Sequence, residues 1–257
     1  MPHVRVAIVE FANSYRLAVT ILAVSMTVSL SAQIALPQTV PGGTAIVLAD
    51  GSGALPALQE REFNQHNDRW SINVKYPELA GADAFNLAIH RKLDSMVNGF
   101  KKGLLPEDYP DYPAYLKGTY RAQILKSGVV SVLFNYETYF PGAAHPGGEL
   151  ASINYEFKEH RLLALSDLFR PKSPYVSRLS EIAIQSLDEN EFADTHAVHR
   201  GAGPVESNFE VFTLTDTELV LHFQTYQVAA GAAGEQQVEI PLASLKPLLQ
   251  PEFRSTP

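Results

Sequence analysis

One stretch of this chain brings a titratable group, a backbone hinge and an aromatic wall together: Tyr139-Phe140-Pro141-Gly142-Ala143-Ala144-His145-Pro146-Gly147. A run of β-formers, Val129 to Phe140, leads straight into a glycine–alanine turn that presents a single imidazole. Pro146 pushes His145 out of the helical region, so the histidine is held extended at the strand's exit. Its small neighbours leave the ring uncrowded, and an imidazole that titrates near neutrality suits proton transfer. His145 is therefore a candidate general base or recognition residue, beside Tyr139 and, if the C-terminal sheet folds over it, Tyr226. The competing role is architectural, with the ring locking the turn through a bond to a backbone carbonyl.

A second candidate is Asp194-Thr195-His196-Ala197-Val198-His199. Two histidines at i, i+3 with an acidic neighbour could hold zinc. The stretch reads as part of a polar, glycine-bearing loop from Asn190 to Asn208, so no helix fixes that spacing and a solvated loop is the default. A third is the tyrosine–proline segment, with Tyr109, Tyr112 and Tyr115 among Pro106, Pro110 and Pro113. Rigid exposed aromatics make good contacts for glycans or proteins, unless they fold back to cover a sheet. There is no Gly-x-Ser-x-Gly elbow, phosphate loop or dinucleotide fingerprint. No cofactor is expected.

The elements that must position these residues follow from periodicity. Trp70, Ile72, Val74 and Tyr76 alternate with polar residues as in a half-buried strand, which Pro77 should end. Asp83 is placed to cap a helix whose stripe is Phe85, Ile89, Leu93, Met96, Val97 and Phe100, stopped by Gly103. Leu105 to Pro113 reads as a loop. Thr119 to Leu125 and Val129 to Phe140 read as a hairpin through Ser127-Gly128. Leu150 to Phe157 with Leu162 to Leu165 is a second, and Phe209 to Thr213 with Glu218 to Phe223 a third. Ser173-Pro174 opens another helix, with Ser as cap, whose stripe is Val176, Leu179, Ala183 and Leu187. Gln236 to Ile240 is a last strand. Strands outnumber helices and connect as hairpins, so the class is α+β, an antiparallel-dominated sheet of hairpins packed against two main helices.

The chain's start does not read as fold. Arg5 and Arg16 precede an apolar run, Leu17 to Leu30, that is too short to span a bilayer comfortably, and Ser29-Leu30-Ser31 suits a signal peptidase. Residues 1–31 are read as a signal peptide or anchor, 32–61 as a flexible linker rich in Pro, Gly and Ala, and 62–250 as the domain, in halves 62–141 and 142–250. The expected location is periplasmic or secreted, with a membrane involved only if the first segment is uncleaved. The net charge of −8 argues against nucleic acid and anionic lipid. The absence of cysteine excludes disulfides, thiolate catalysis and a lipidated cysteine after the signal.

From Trp70 to Leu249 the order of features resembles the extracytoplasmic domain of unknown function found in RsiV-type sensors and PdaC-type deacetylases (family 3298, with its N-terminal companion domain). The residues that carry the resemblance are Tyr76-Pro77, Gly142-Ala143-Ala144-His145-Pro146, Leu162 to Phe169, Phe212-Thr213-Leu214-Thr215, Leu219 to Phe223, Tyr226 to Ala230 and Val238 to Leu242. Only 16 residues precede the apolar run, and nothing after Pro251 could supply a deacetylase domain, so the free-standing member type is expected. That type implies an exported, non-catalytic binding domain whose partner is a cell-envelope glycan of peptidoglycan type or an extracytoplasmic protein such as a lysozyme-like one. The contact residues expected are His145, Tyr139, Tyr226, Tyr109 and Tyr112. The alternatives are a hydrolase of envelope ester, amide or glycan bonds with His145 as base, and a surface-exposed protein without a small ligand.

Overall fold

Five long strands and one short one build the larger sheet. The computed structural model describes residues 46–47, 54–55, 57–104, 112–189 and 195–254. Strands β1 (Ile46–Val47) and β2 (Ala54–Leu55) form a small antiparallel pair of their own. Then come β3 (Leu58–His66), β4 (Trp70–Leu79), helix α1 (Asp83–Gly103), β5 (Ala114–Ile124), β6 (Val129–Tyr139), β7 (Gly147–Glu156) and β8 (Arg161–Leu162). The six strands lie in the order β3-β4-β5-β6-β7-β8, and every pairing is antiparallel except β4–β5. A parallel pair needs a long crossover, and α1 supplies it. Phe85, Ile89, Leu93, Val97 and Phe100 of α1 are buried, as their spacing predicts, while Met96 is only partly so.

Side chains alternate between the two faces of a strand, and β6 shows the consequence. Val130, Val132, Phe134 and Tyr136 pack into the core beneath α1, whereas Val129 joins a second core on the opposite face. That second core belongs to the rest of the chain: α2 (Tyr175–Asp188), α3 (Thr195–Gly201), β9 (Phe212–Leu214), β10 (Glu218–Phe223), β11 (Gln236–Pro241) and α4 (Leu242–Leu245). Its sheet runs β11-β10-β9, all antiparallel. Leu219, Leu221 and Phe223 of β10 and Leu179, Ala183 and Leu187 of α2 fill this core. The class is thus α+β with a largely antiparallel sheet, as the pattern predicts.

Several local expectations change. Pro77 does not end its strand. The pairing with β5 stops at Val74, so a residue without an N–H is tolerated beyond it. Asp83 does not cap α1; Ala82 is the N-cap and no side chain bonds there. Asn86 instead ties the turn, accepting from the Leu79 N–H and donating to the Leu79 carbonyl, both at 2.9 Å. Pro174, not Ser173, is the N-cap of α2, and the Ser173 hydroxyl is buried without a partner. Strand β3 begins inside the stretch read as linker. Of its nine residues only Leu58 and Phe63 are apolar, which suffices for an edge strand with one neighbour. Leu165–Leu168 is a 3-10 turn, and the supposed loop from Asn190 to Asn208 contains α3 and a 3-10 turn at Glu206–Phe209.

Gly201, at the end of α3, is buried where only hydrogen fits. A Cβ there would run into the backbone carbonyl of Gln227, whose own side-chain amide donates to the Gly201 carbonyl at 2.9 Å. Gly201→Ala should therefore destabilise the fold by about 2 kcal/mol, through overpacking against backbone. A urea unfolding curve checks this, and a midpoint unchanged from wild type would contradict it.

Candidate functional site

The second core covers only part of the large sheet's outer face. Among the described residues, the remainder, running from β3 to the far ends of β5 and β6, is open. Register places Asn73 beside Lys117, Lys117 opposite Glu137, Thr119 opposite Asn135 and Tyr115 opposite Tyr139. Apart from the two half-buried tyrosines these side chains are exposed. They are the polar phase of strands whose apolar phase packs under α1.

The face is pre-ordered by its own contacts. Tyr115 and Tyr139 stack across the strands, with ring centroids 5.6 Å apart and planes 25° from parallel. The Tyr115 hydroxyl donates to Glu137 Oε1 at 2.7 Å, and Lys117 Nζ lies 4.4 Å from the Tyr115 ring centre. That bond to Glu137, aided by burial, pushes the Tyr115 phenol up to about 12, so it stays a neutral donor. Further along, Asn73 Nδ2 donates to Glu62 Oε1 and Asn64 Oδ1, both at 2.6 Å. Hydrogen bonds from Asn73 and then Asn64 hold the Glu62 carboxyl below its usual range, so it is ionised at neutral pH. Asn135 Nδ2 donates to Glu235 Oε1 at 2.7 Å, which joins the face to the second sheet beside it. The result is a polar platform with an aromatic pair at one end.

The residues singled out from sequence fall on several elements. His145 is exposed in the β6–β7 turn, and its Nδ1 lies 2.9 Å from the Pro146 carbonyl oxygen. A ring nitrogen facing a carbonyl must carry the proton, so Nδ1–H donates to the turn's own backbone. Tyr139 stacks on Tyr115. Tyr226 is 60% exposed, in a left-handed conformation (φ +70°), with its ring against Gly231. Two residues earlier, Gln224 clamps Leu150 of β7, accepting from its N–H at 2.8 Å and donating to its carbonyl at 2.7 Å. The clamp fixes the Tyr226 turn near the start of β7, the strand that His145 precedes. Tyr112 is 68% exposed just before β5; Tyr109 lies outside the described residues. Tyr115, grouped by sequence with loop tyrosines, is a strand residue. Sequence reasoning missed Lys117, Glu137, Asn73 and Asn135 as site residues, although their alternation with buried residues was legible.

The histidine pair needs correction. His196 and His199 sit on α3, so a helix does fix their spacing. His199 Nε2 lies 3.6 Å from Asp188 Oδ2. Asp194 lies outside the described residues, and among the described residues no group of three His, Cys, Asp or Glu side chains is placed to hold a metal. Among them, too, no helix is long and apolar enough to cross a membrane.

Comparison with known proteins agrees with this architecture. Residues 166–243, from the 3-10 turn Leu165–Leu168 into α4, match the family described as Protein of unknown function (DUF3298). The chain is 29% identical over 193 residues to peptidoglycan-N-acetylmuramic acid deacetylase PdaC of Bacillus subtilis (strain 168). That alignment covers 73% of this chain and 41% of the relative, so the chain spans about two fifths of that protein's length. Two solved structures share the fold. One is a DUF3298 family protein from Pseudomonas aeruginosa PAO1, with TM-score 0.56, 16% identity, and coverage of 79% of this chain and 98% of that one. The other is a family member from Bacteroides fragilis NCTC 9343, with TM-score 0.51, 16% identity, and coverage of 78% and 98%.

Proposed function

We propose that this chain is an exported, non-catalytic binding domain that recognises a cell-envelope glycan of peptidoglycan type on its open polar sheet face. The observation that carries the reading is the Tyr115–Tyr139 stack, flanked by Lys117 and Glu137 on a face that, among the described residues, no other element covers. A sugar ring has an apolar face of C–H groups and a rim of hydroxyls. The first packs on aromatic rings, and the second exchanges hydrogen bonds with Asn, Glu and Lys side chains. Because Glu62, Glu137 and Tyr115 already hold fixed partners, little side-chain freedom is lost when a ligand docks. The similarity to a protein named as a peptidoglycan-N-acetylmuramic acid deacetylase supports an envelope setting. In this reading His145 shapes the turn beside the platform and moves no proton.

The test is co-sedimentation with purified peptidoglycan. Wild type should be retained after washing. Tyr139→Ala, which removes half of the stack, should reduce retention about tenfold at an unchanged melting temperature. Tyr115→Phe keeps the ring but loses the bond to Glu137, and should fall between the two. No retention of wild type, or equal retention of all three proteins, would defeat the proposal.

A further inference from the structure

A cavity of about 460 Å³ opens between β7, the segment from β8 into the 3-10 turn Leu165–Leu168, and the 3-10 turn Glu206–Phe209. Its volume falls within the range of small-ligand sites. Leu163, Leu165 and Phe212 line it, and Leu162 at its side is 44% exposed, unusual for a leucine beside a cavity. The polar residues of the β7 wall are already committed. Ser152 Oγ accepts from the Phe212 N–H at 3.0 Å, and Asn154 Nδ2 donates to the Phe212 carbonyl at 2.9 Å.

Beyond the β7 wall, the polar side chains lining the cavity are Ser207 and two carboxylates. Glu206 and Glu210 both line the cavity, and among the described residues neither forms an ion pair. Glu206 is not a loose surface carboxylate. The Tyr175 hydroxyl donates to its Oε1 at 2.7 Å, and the Tyr175 ring stacks on the buried Phe169, with centroids 4.4 Å apart and planes 7° from parallel. Burial and Glu206 together push that phenol up to about 12, so it remains a donor. Arg161, which enters the same segment, is occupied by Glu156 at 2.9 Å and Asp167 at 3.5 Å and does not neutralise the pair.

An apolar wall beside two exposed carboxylates, one of them positioned by Tyr175, complements one chemical pattern: an aliphatic stem that ends in a cation. We propose that this cavity binds a peptide side chain bearing a terminal primary ammonium, with its stem along Leu162, Leu163 and Leu165 and its ammonium between Glu206 and Glu210. The chain's net charge of −8 favours the approach of such a group. This site shares no residue with the tyrosine platform, and the inference does not rest on it.

The experiment is a calorimetric or NMR titration of the whole chain with three probes: N-acetyl-lysine methylamide, its norleucine analogue with the same stem and no charge, and its glutamate analogue. The lysine probe should saturate the protein, the norleucine probe should bind about tenfold more weakly, and the glutamate probe should not bind. Glu206→Gln with Glu210→Gln should cost the lysine probe about tenfold, because Gln keeps the bond from Tyr175 but removes the charge. If that variant melts early, the exposed Glu210→Gln alone serves, with a several-fold loss expected. Tyr139→Ala should leave lysine binding unchanged, which separates this site from the platform. Equal binding of lysine and norleucine probes, wild-type affinity in the Gln variants, or no binding of the lysine probe would overturn the inference.

Discussion

Asn154→Ala should lower the free energy of unfolding by about 3 kcal/mol, the largest loss expected from removing a single polar side chain here. Asn154 is 3% exposed and stands where the two cores meet. Its Oδ1 accepts from the Ser131 hydroxyl at 2.6 Å, and its Nδ2 donates to the Phe212 carbonyl at 2.9 Å. Ser131, itself 2% exposed, in turn accepts from the Leu214 N–H at 2.9 Å. Strand β9 therefore docks on β6 and β7 through side chains, since its backbone pairs only with β10. Deleting the amide strands a buried carbonyl and a buried hydroxyl, and that asymmetry makes the cost large. Ser131→Ala should cost about 2 kcal/mol, since it orphans the Leu214 N–H and the Asn154 carbonyl oxygen. The double mutant should cost less than the sum, because both changes break one network. Strict additivity in chemical denaturation would show that the two residues act separately.

The parts of this architecture that were legible in the sequence are those governed by burial. Phe85, Ile89, Leu93, Val97 and Phe100 announce α1 because each must face the same core, and Val129 to Tyr139 announces β6 because both of its faces are buried. The open polar face was not legible as a candidate site for the same reason. Lys117, Thr119, Asn135 and Glu137 are what any solvent-facing strand phase looks like, and only the register of five-residue and ten-residue pairings shows that they converge. Helix α3 escaped notice because seven residues with two buried side chains, Ala197 and Val198, give too short a stripe to register a period. Strand β3 escaped because an edge strand needs little apolar surface. The His145 turn was visible at once from its Gly, Ala and Pro spacing. Its Nδ1 contact with Pro146 was not visible, being a matter of one torsion angle that spacing does not encode.

Stability should fall as the pH drops from about 6.5 toward about 4, and His222 should account for much of the fall. The residue is 6% exposed in the middle of β10, with Nε2 2.8 Å from the Thr213 hydroxyl on β9 and Gln237 opposite on β11. Burial first, and then the positive charge of Arg121, pull its pKa down to about 4. An unfolded histidine titrates near 6.5, so between those values the unfolded chain holds a proton that the folded chain refuses. The unfolded state binds more protons, and stability therefore rises with pH across this window: it is complete above about 6.5 and lost on acidification through about 4. The difference amounts to about 3 kcal/mol over the whole window. Glu239, on the neighbouring strand, works in the opposite sense. Burial and then Glu218 raise its pKa, so protonation favours the folded state and offsets part of the loss. Comparing two proteins isolates the histidine. His222→Gln, denatured in urea at pH 7 and at about pH 4.5, should lose about 2 kcal/mol less than wild type between the two conditions. Parallel losses would exonerate His222. Because β10 and β11 carry the sheet next to Glu235, which holds Asn135 on the open face, retention on peptidoglycan should weaken over the same pH range in wild type and less so in His222→Gln.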